Sequence, residues 1–295
     1  MRKQPLKTVV RFIMHRMISG EIRQTIYTVP YYFFIGRFMK KVNINDIPLF
    51  SYIEIETINR CNGLCSFCPV NANQKQRPYA KMTDFLFKKI IDELSGLKYS
   101  GELHLFSNNE PLLDDRIVEF SQYAKEKVPS SYLTLYTNGS LLDIEKTIEL
   151  TKYLDLLVID NYSENGELPN NIREIREFCK EKDLLNKVVI DNKKPMSILS
   201  SRGGQAPNKR KASLWGVGKG CIYPFRQMVV RPDGKCSLCC NDALGKYTLG
   251  DVQKDSLMHI WYSKEYRSVR ETMISCGRKG LALCNKCDTH YFDGT

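Results

Sequence analysis

The chain has 295 residues, 42% of them hydrophobic, and a formal net charge of +11. That is apolar material enough for one core domain with a small appendage. No run of about 18 apolar residues suggests a transmembrane helix, and the N-terminus lacks the apolar stretch and small-residue cleavage site of a secretion signal, so a cytoplasmic protein is expected. The charge is local: residues 1–41 hold nine Lys or Arg against one acid, Glu21, which describes a basic arm and not a basic, nucleic-acid-binding fold.

In that arm Arg2, Lys3, Lys7, Arg11, Arg16 and Arg23 are mixed with Val9, Val10, Phe12, Ile13, Met14 and Met17. It reads as a helix covering the open end of the fold, or as an interfacial helix on an anionic membrane. From about Pro48, strands and helices alternate. "SYIEIET" (51–57) is a strand by its alternation and β-branching. "TDFLFKKIIDELSG" (83–96) is a helix, capped by Thr83, with Phe87, Ile90, Ile91 and Leu94 on one face and Gly96 as its stop. A strand (102–107), a helix (114–127), a strand (132–137) with an Asn138-Gly139 turn, a helix (143–154) and an apolar strand (154–160) follow. Next come a helix (170–182) with Ile172, Ile175, Phe178 and Cys179 inward, a strand (187–191) and a candidate strand (196–201).

This order implies an α/β fold with a parallel sheet. Five or six strands are too few for an eight-stranded barrel, so a partial (β/α)6 TIM-like barrel is expected, its site at the C-terminal strand ends. From about Gln205 the pattern changes. "QMVVRPDGKCSLCC" (227–240) reads as a β-hairpin turning at Asp233-Gly234, "DSLMHIWYSKEYRSVRETM" (255–273) as a helix, and a cysteine-rich tail closes the chain. The expected units are an extension over 1–47, the barrel over 48–204 and a hairpin-plus-helix domain over 205–295.

The eleven cysteines fall in two groups with Cys179 between them, where it reads as a core residue. Cys61, Cys65 and Cys68 lie just after the first strand. Three thiolates on one short loop can hold three irons of a cubane 4Fe–4S cluster and leave the fourth iron open; a zinc site would need a distant fourth ligand.

The run Cys61, Cys65, Phe67, Cys68 resembles the CxxxCxxC signature of the radical S-adenosylmethionine (SAM) superfamily, with its aromatic before the last cysteine. "NNEPLL" (108–113), after the second strand, resembles the family's GGEP motif, with Asn108 and Asn109 in place of glycines and Glu110 and Pro111 matching. "YTNG" (136–139) and "VIDN" (158–161) fall where the family contacts SAM, which implies roles for Thr137, Asn138 and Asp160. The resemblance further implies that SAM, chelated by the open iron and reduced by one electron, yields a 5′-deoxyadenosyl radical that removes hydrogen from an unactivated C–H bond. An external one-electron reductant such as flavodoxin or ferredoxin would supply that electron.

The second cysteine group resembles the superfamily's twitch/SPASM appendage: Cys221, a hairpin GxxxxC ending at Cys239, and the terminal Cys284-x-x-Cys287. The resemblance implies an auxiliary 4Fe–4S cluster on these four thiolates; four cysteines alone also describe a zinc ribbon. Strand alternation puts Cys240 on the side opposite Cys239, Cys236 is ambiguous, and Cys276 is a spare thiol. "SSRGG" (200–204) resembles the substrate-binding run of an aminocyclitol dehydrogenase of the family, which implies that Arg202 contacts substrate. The implied function is oxidation of a small polar molecule, a cyclitol or sugar alcohol. The alternatives are an epimerase with a cysteine hydrogen donor, a ribosomal-peptide maturase, and a non-catalytic metal or nucleic-acid-binding protein.

Overall fold

The computed structural model describes residues 32–163, 165–192, 200–207 and 219–289. A first helix, α1, spans 32–41. Tyr32 and Ile35 bury against Ile222, and the Phe38 ring meets Phe225 edge-on at 5.3 Å, while Phe33 and Phe34 face outward. Of the basic arm, residues 1–31 lie outside the described ones.

Five parallel strands follow in chain order: β1 (Tyr52–Ile55), β2 (Glu102–His104), β3 (Tyr132–Thr137), β4 (Leu156–Asn161) and β5 (Val188–Asn192). Between β1 and β2 lie the short α2 (Pro69–Ala72) and α3 (Asp84–Gly96); α4 (Ile117–Lys127), α5 (Ile144–Tyr153) and α6 (Asn170–Glu181) make the later crossovers. Helix α3 starts because the Thr83 hydroxyl accepts from the Leu86 amide. It buries Leu86, Phe87, Ile90, Ile91 and Leu94, each worth about 1.5–3 kcal/mol. Gly96 is its last residue rather than its stop; the left-handed turn comes at Lys98, φ 51°. Strand β2 ends at His104, short of the expected 107, because the chain turns there into the Ser107–Asn109 loop.

The hairpin is not a separate layer. Strand β6 (Gln227–Val230) runs parallel to β1, Tyr52 opposite Gln227. It turns into β7 (Lys235–Ser237), which pairs with a strand not foreseen from the sequence, β8 (Thr248–Asp251). The result is one open eight-stranded sheet ordered β5-β4-β3-β2-β1-β6-β7-β8. The sixth parallel strand thus lies beside β1; of the candidate strand at 196–201, residues 196–199 lie outside the described ones, and Ser200 and Ser201 are not in a strand. The helix expected over 255–273 is two helices, α7 (Leu257–Trp261) and α8 (Lys264–Ser275). The break falls where the Ser263 hydroxyl caps the Tyr266 amide.

Candidate active site

The cysteine loop leaves β1 at the C-terminal edge of the sheet and is tied to the loops beyond β2 and β3. The Glu110 amide donates to the Arg60 carbonyl at 2.9 Å. Asn62 donates to the Ser140 hydroxyl and accepts from the Asn138 amide group, both at 2.9 Å. Within the loop the Gly63 amide donates to Cys61 Sγ at 3.3 Å, and a Cβ on Gly63 would sit 3.3 Å from that sulfur and 3.6 Å from Cys65 Sγ. The glycine therefore keeps the space beside the thiols clear. Cys61, Cys65, Phe67 and Cys68 line a cavity of about 1300 Å³ counted out to its mouth.

The other walls come from the loops after β2, β3 and β4, as expected at the C-terminal edge of a parallel sheet. Glu110 is buried and its carboxylate accepts from Thr137 Oγ1 (2.7 Å), the Asn138 amide (2.8 Å) and the Leu112 amide (3.1 Å). Burial raises its pKa and those bonds oppose the rise. Pro111 opens the 3-10 turn that follows. Asp160, at the end of β4, accepts from the Tyr162 hydroxyl at 3.1 Å, and the Tyr162 ring leans on Phe67 with centroids 5.2 Å apart.

Asn108 and Asn109 hold the β2 loop with side chains that glycines could not supply. Asn109 Oδ1 accepts from the Ser107 amide at 3.0 Å. Asn108 Nδ2 donates to Ser107 Oγ (3.1 Å) and to the Cys240 carbonyl (3.0 Å), and Asn108 Oδ1 accepts from Arg202 Nη2. Arg202 also donates to the Cys240 carbonyl at 2.8 Å and sits at φ 47°, an uncommon left-handed conformation for arginine. Its loop is fastened by Ser201, whose amide donates to Asp288 at 2.6 Å and whose hydroxyl donates to the Lys286 carbonyl at 2.7 Å. The guanidinium thus faces the cavity of the first cysteines while its backbone is clamped to the tail carrying the last ones.

The second group gathers beside this clamp. Cys221, Cys239 and Cys284 are buried and Cys287 half-buried. Burial pushes the Cys239 thiol well up, and Cys240, Cys284, Cys287 and Cys221 all add to the rise; Cys221 and Cys287 do the same to Cys284. Among the described residues no three Cys, His, Asp or Glu side chains converge as a single-ion site. Cys236 is buried in β7 with its thiol pushed up to about 12, Cys276 is exposed at the end of α8, and Cys179 is buried on α6. Cys240, next to Cys239 in the chain, is also among the residues lining the first cavity.

The lining residues that were not singled out in the sequence include Glu54, Asn71, Ser107 and Tyr162. Polar groups on the walls await a partner: both amide atoms of Asn71, Asn109 Nδ2 and Arg202 Nε are buried without a hydrogen bond. Soft thiols, a cleared loop and unpaired polar groups in one cavity fit an iron–sulfur cluster with a polar nucleoside ligand. Burial pushes the Cys61 thiol up to about 11 and raises that of Cys65 too, so loading a cluster there must displace protons.

A partial barrel with an uneven thiol triplet after its first strand and a second thiol group behind it defines an iron–sulfur radical enzyme, and the chain belongs to the radical SAM superfamily. The superfamily's sequence model matches residues 55–190, and that of SPASM, an iron–sulfur cluster-binding domain, matches 221–288. SAM and 4Fe–4S clusters are therefore its cofactors. The chain is similar to the S-adenosyl-L-methionine-dependent 2-deoxy-scyllo-inosamine dehydrogenase of Niallia circulans, 28% identical over 243 residues, covering 81% of this chain and 93% of the other. The crystal structure of BtrN in complex with AdoMet and 2-DOIA matches with a TM-score of 0.72 at 25% identity, over 84% of this chain and 99% of that one. BtrN in an open conformation matches with a TM-score of 0.63 at 22% identity, over 82% and 94%. Among the described residues no helix is long and apolar enough to cross a membrane.

Proposed function

We propose that this chain oxidises a secondary alcohol of a small polyhydroxylated molecule, of the cyclitol or amino-sugar class, to a ketone. The observation that carries the reading is the pair of opposite charges in the cysteine-lined cavity: the Arg202 guanidinium, fixed to Asn108 and the Cys240 carbonyl, and the buried Glu54 carboxylate. Such a pair suits a substrate rich in hydroxyl or amino groups. The similarity to a dehydrogenase of 2-deoxy-scyllo-inosamine points the same way.

In this reading Cys61, Cys65 and Cys68 hold the first cluster, and Glu110, Thr137, Asn138, Asn109, Asp160 and Phe67 surround SAM. Cys221, Cys239, Cys284 and Cys287 hold the auxiliary cluster, within a unit that begins near 205. When bound, the two clusters and SAM supply a carbon-centred hydrogen abstractor and an acceptor for the remaining electron. The chain's own part is to aim a carbinol carbon, through Arg202, and to keep bulk water out with Phe67, Tyr162 and Tyr136.

The test is anaerobic turnover of the reconstituted enzyme with flavodoxin or dithionite and a cyclitol panel that includes 2-deoxy-scyllo-inosamine. A carbonyl product, two mass units lighter than its substrate and with one SAM consumed per turnover, is expected. Cys240 favours a second reading, since it is among the residues lining the cavity and a cysteine thiol can return hydrogen. An unchanged oxidation state with one solvent deuteron on carbon, lost in Cys240→Ala, would replace oxidation by epimerisation. The basic arm is further proposed to hold this cytoplasmic enzyme at anionic membrane surfaces. The outward Phe33 and Phe34, with Arg37 stacked over Phe33, support this, and flotation with anionic liposomes at low salt tests it.

A further inference from the structure

Oxidising an alcohol releases the hydroxyl proton as well as the hydrogen atom on carbon, and that proton needs an acceptor in the cavity. We propose that Glu54 takes it and passes it down the inside of the sheet, through Tyr52 and His104, to Glu102 at the opposite end. This rests on the dehydrogenase reading above.

The four residues form a column set by strand geometry. Tyr52 and Glu54 are two apart on β1 and Glu102 and His104 two apart on β2, so each pair shares a face. The parallel register places Tyr52 beside Glu102 and Glu54 beside His104. At the top, Glu54 is 1% exposed and lines the cavity. Its Oε2 accepts from Ser107 Oγ at 2.5 Å and its Oε1 from Gln227 Nε2 at 2.9 Å. Tyr52 lies two residues before it on the same face of β1 and, with Ser107 and Arg202, holds down the rise of its pKa, while Glu56 adds to it. Below, the Tyr52 hydroxyl stands 3.4 Å from His104 Nδ1, the two rings 4.2 Å apart. His104 is 5% exposed, and its Nε2 faces Glu102 Oε2 at 3.5 Å. The Glu102 side chain is 46% exposed, so the column ends in solvent.

The proton moves one way, and each pass leaves the imidazole protonated on Nδ1 in place of Nε2, so proton exchange with water restores the starting tautomer before the next pass. With Glu102 beside Nε2, the imidazole keeps its proton on Nε2 and its lone pair on Nδ1, toward Tyr52. Protonated Glu54 gives its proton to the Tyr52 oxygen while the Tyr52 O–H proton moves to His104 Nδ1, and Nε2 releases one to Glu102 and water. Tyr52 acts only as a relay: its pKa is held well above the usual value by burial, then by Glu54, Cys240, Tyr136 and Glu102, so it does not stay ionised. Glu54 is raised to about 7 by burial, against the pull of Ser107, Tyr52 and Arg202, which suits a group that must both take and release a proton near neutral pH. Atoms and charge balance: the alcohol loses a hydrogen atom to the SAM-derived abstractor, one electron to the auxiliary cluster and one proton to Glu54.

Two measurements test the column. The first needs no turnover. In the reconstituted, SAM-bound enzyme near pH 6, infrared spectroscopy should show a protonated-carboxyl band absent from Glu54→Gln. After transfer to heavy water, the deuterium shift of that band should slow by about tenfold or more in Tyr52→Phe and in His104→Leu, with His104→Gln as the milder variant if leucine disturbs folding. A missing Glu54 band, or exchange as fast in the variants as in the parent, overturns the column. The second uses 2-deoxy-scyllo-inosamine as the probe: Glu54→Gln should lower kcat by about a hundredfold or more, and Tyr52→Phe should lower kcat with KM unchanged and move the acidic limb of its pH profile upward, since a bond that lowers the Glu54 pKa is gone. An unmoved limb counts against the column. If the parent oxidises no cyclitol, the dehydrogenase reading falls, while the exchange measurement still decides the column.

Discussion

Replacing Asn108 with glycine tests how Arg202, the proposed substrate contact, is aimed. The Asn108 side chain makes three hydrogen bonds: one from the Arg202 guanidinium, one to Ser107 Oγ at 3.1 Å and one to the Cys240 carbonyl at 3.0 Å. A bond to a charged group contributes about 1.5–3 kcal/mol net and a neutral one about 0.5–1.5. The loss is partly offset, because the Cys240 carbonyl still accepts from Arg202 at 2.8 Å and Ser107 still donates to Glu54. About 2 kcal/mol should remain, and a glycine at this turn adds up to about 1 more in backbone entropy. About 3 kcal/mol corresponds to a fall of roughly 5 °C in Tm for a chain of this size. Anaerobic calorimetry of the reconstituted Asn108→Gly variant measures it, and kinetics with a cyclitol should show KM raised and iron content unchanged. An unaltered Tm together with an unaltered KM would refute the reasoning, since Arg202 would then be held by something other than Asn108.

The triple variant Cys61→Ala, Cys65→Ala, Cys68→Ala should carry about four irons per chain in place of about eight and form no 5′-deoxyadenosine under reducing conditions, measured by iron analysis and chromatography. Gly139→Ala should destabilise by about 2–4 kcal/mol in a denaturant titration, because the residue sits at φ 72° and its Cβ would lie 2.7 Å from Ile159 Cγ2. Glu54→Gln should change the pH dependence of stability. A carboxyl raised from 4.5 to about 7 stabilises fully below its unfolded value and loses that contribution as pH rises through 7. The parent should therefore lose up to about 3 kcal/mol relative to the variant between about pH 5 and 8, read from paired unfolding curves.

The alternation of β1 was legible, and so was the cap at Thr83, whose side chain does accept the amide of Leu86. The cysteine motifs and Glu110 were legible because they match the superfamily's motifs, and Cys61, Cys65, Cys68 and Glu110 do line one cavity. Glu54 was not. In a single strand the polar alternate face reads as the solvent face, and only curvature of the sheet turns Tyr52, Glu54 and Glu56 inward while Ile53 and Ile55 pack on the helices. Asn71 escaped because nothing local marks an asparagine in a short helix as a cavity wall. Strand β8 and the break between α7 and α8 were hidden for a related reason: Thr248–Asp251 is strand because β7 offers it an edge, and the periodicity of 255–273 runs on through a serine that caps a new helix.

The pairing of β6 with β1 also bears on how the protein is made. Glu54 and Gln227, hydrogen-bonded side by side, are 173 positions apart. During synthesis the strand bearing the first cysteine loop therefore waits with one edge unpaired until three-quarters of the chain has left the ribosome. Pairings of such long range are slow to form, and an open edge in the meantime invites association with other chains. Shortening the protein from its C-terminus would strip that edge as well as the second thiol group. The two halves of the molecule are thus a single folding unit, and cluster insertion into the first loop must contend with a scaffold that is not complete until the last quarter is in place.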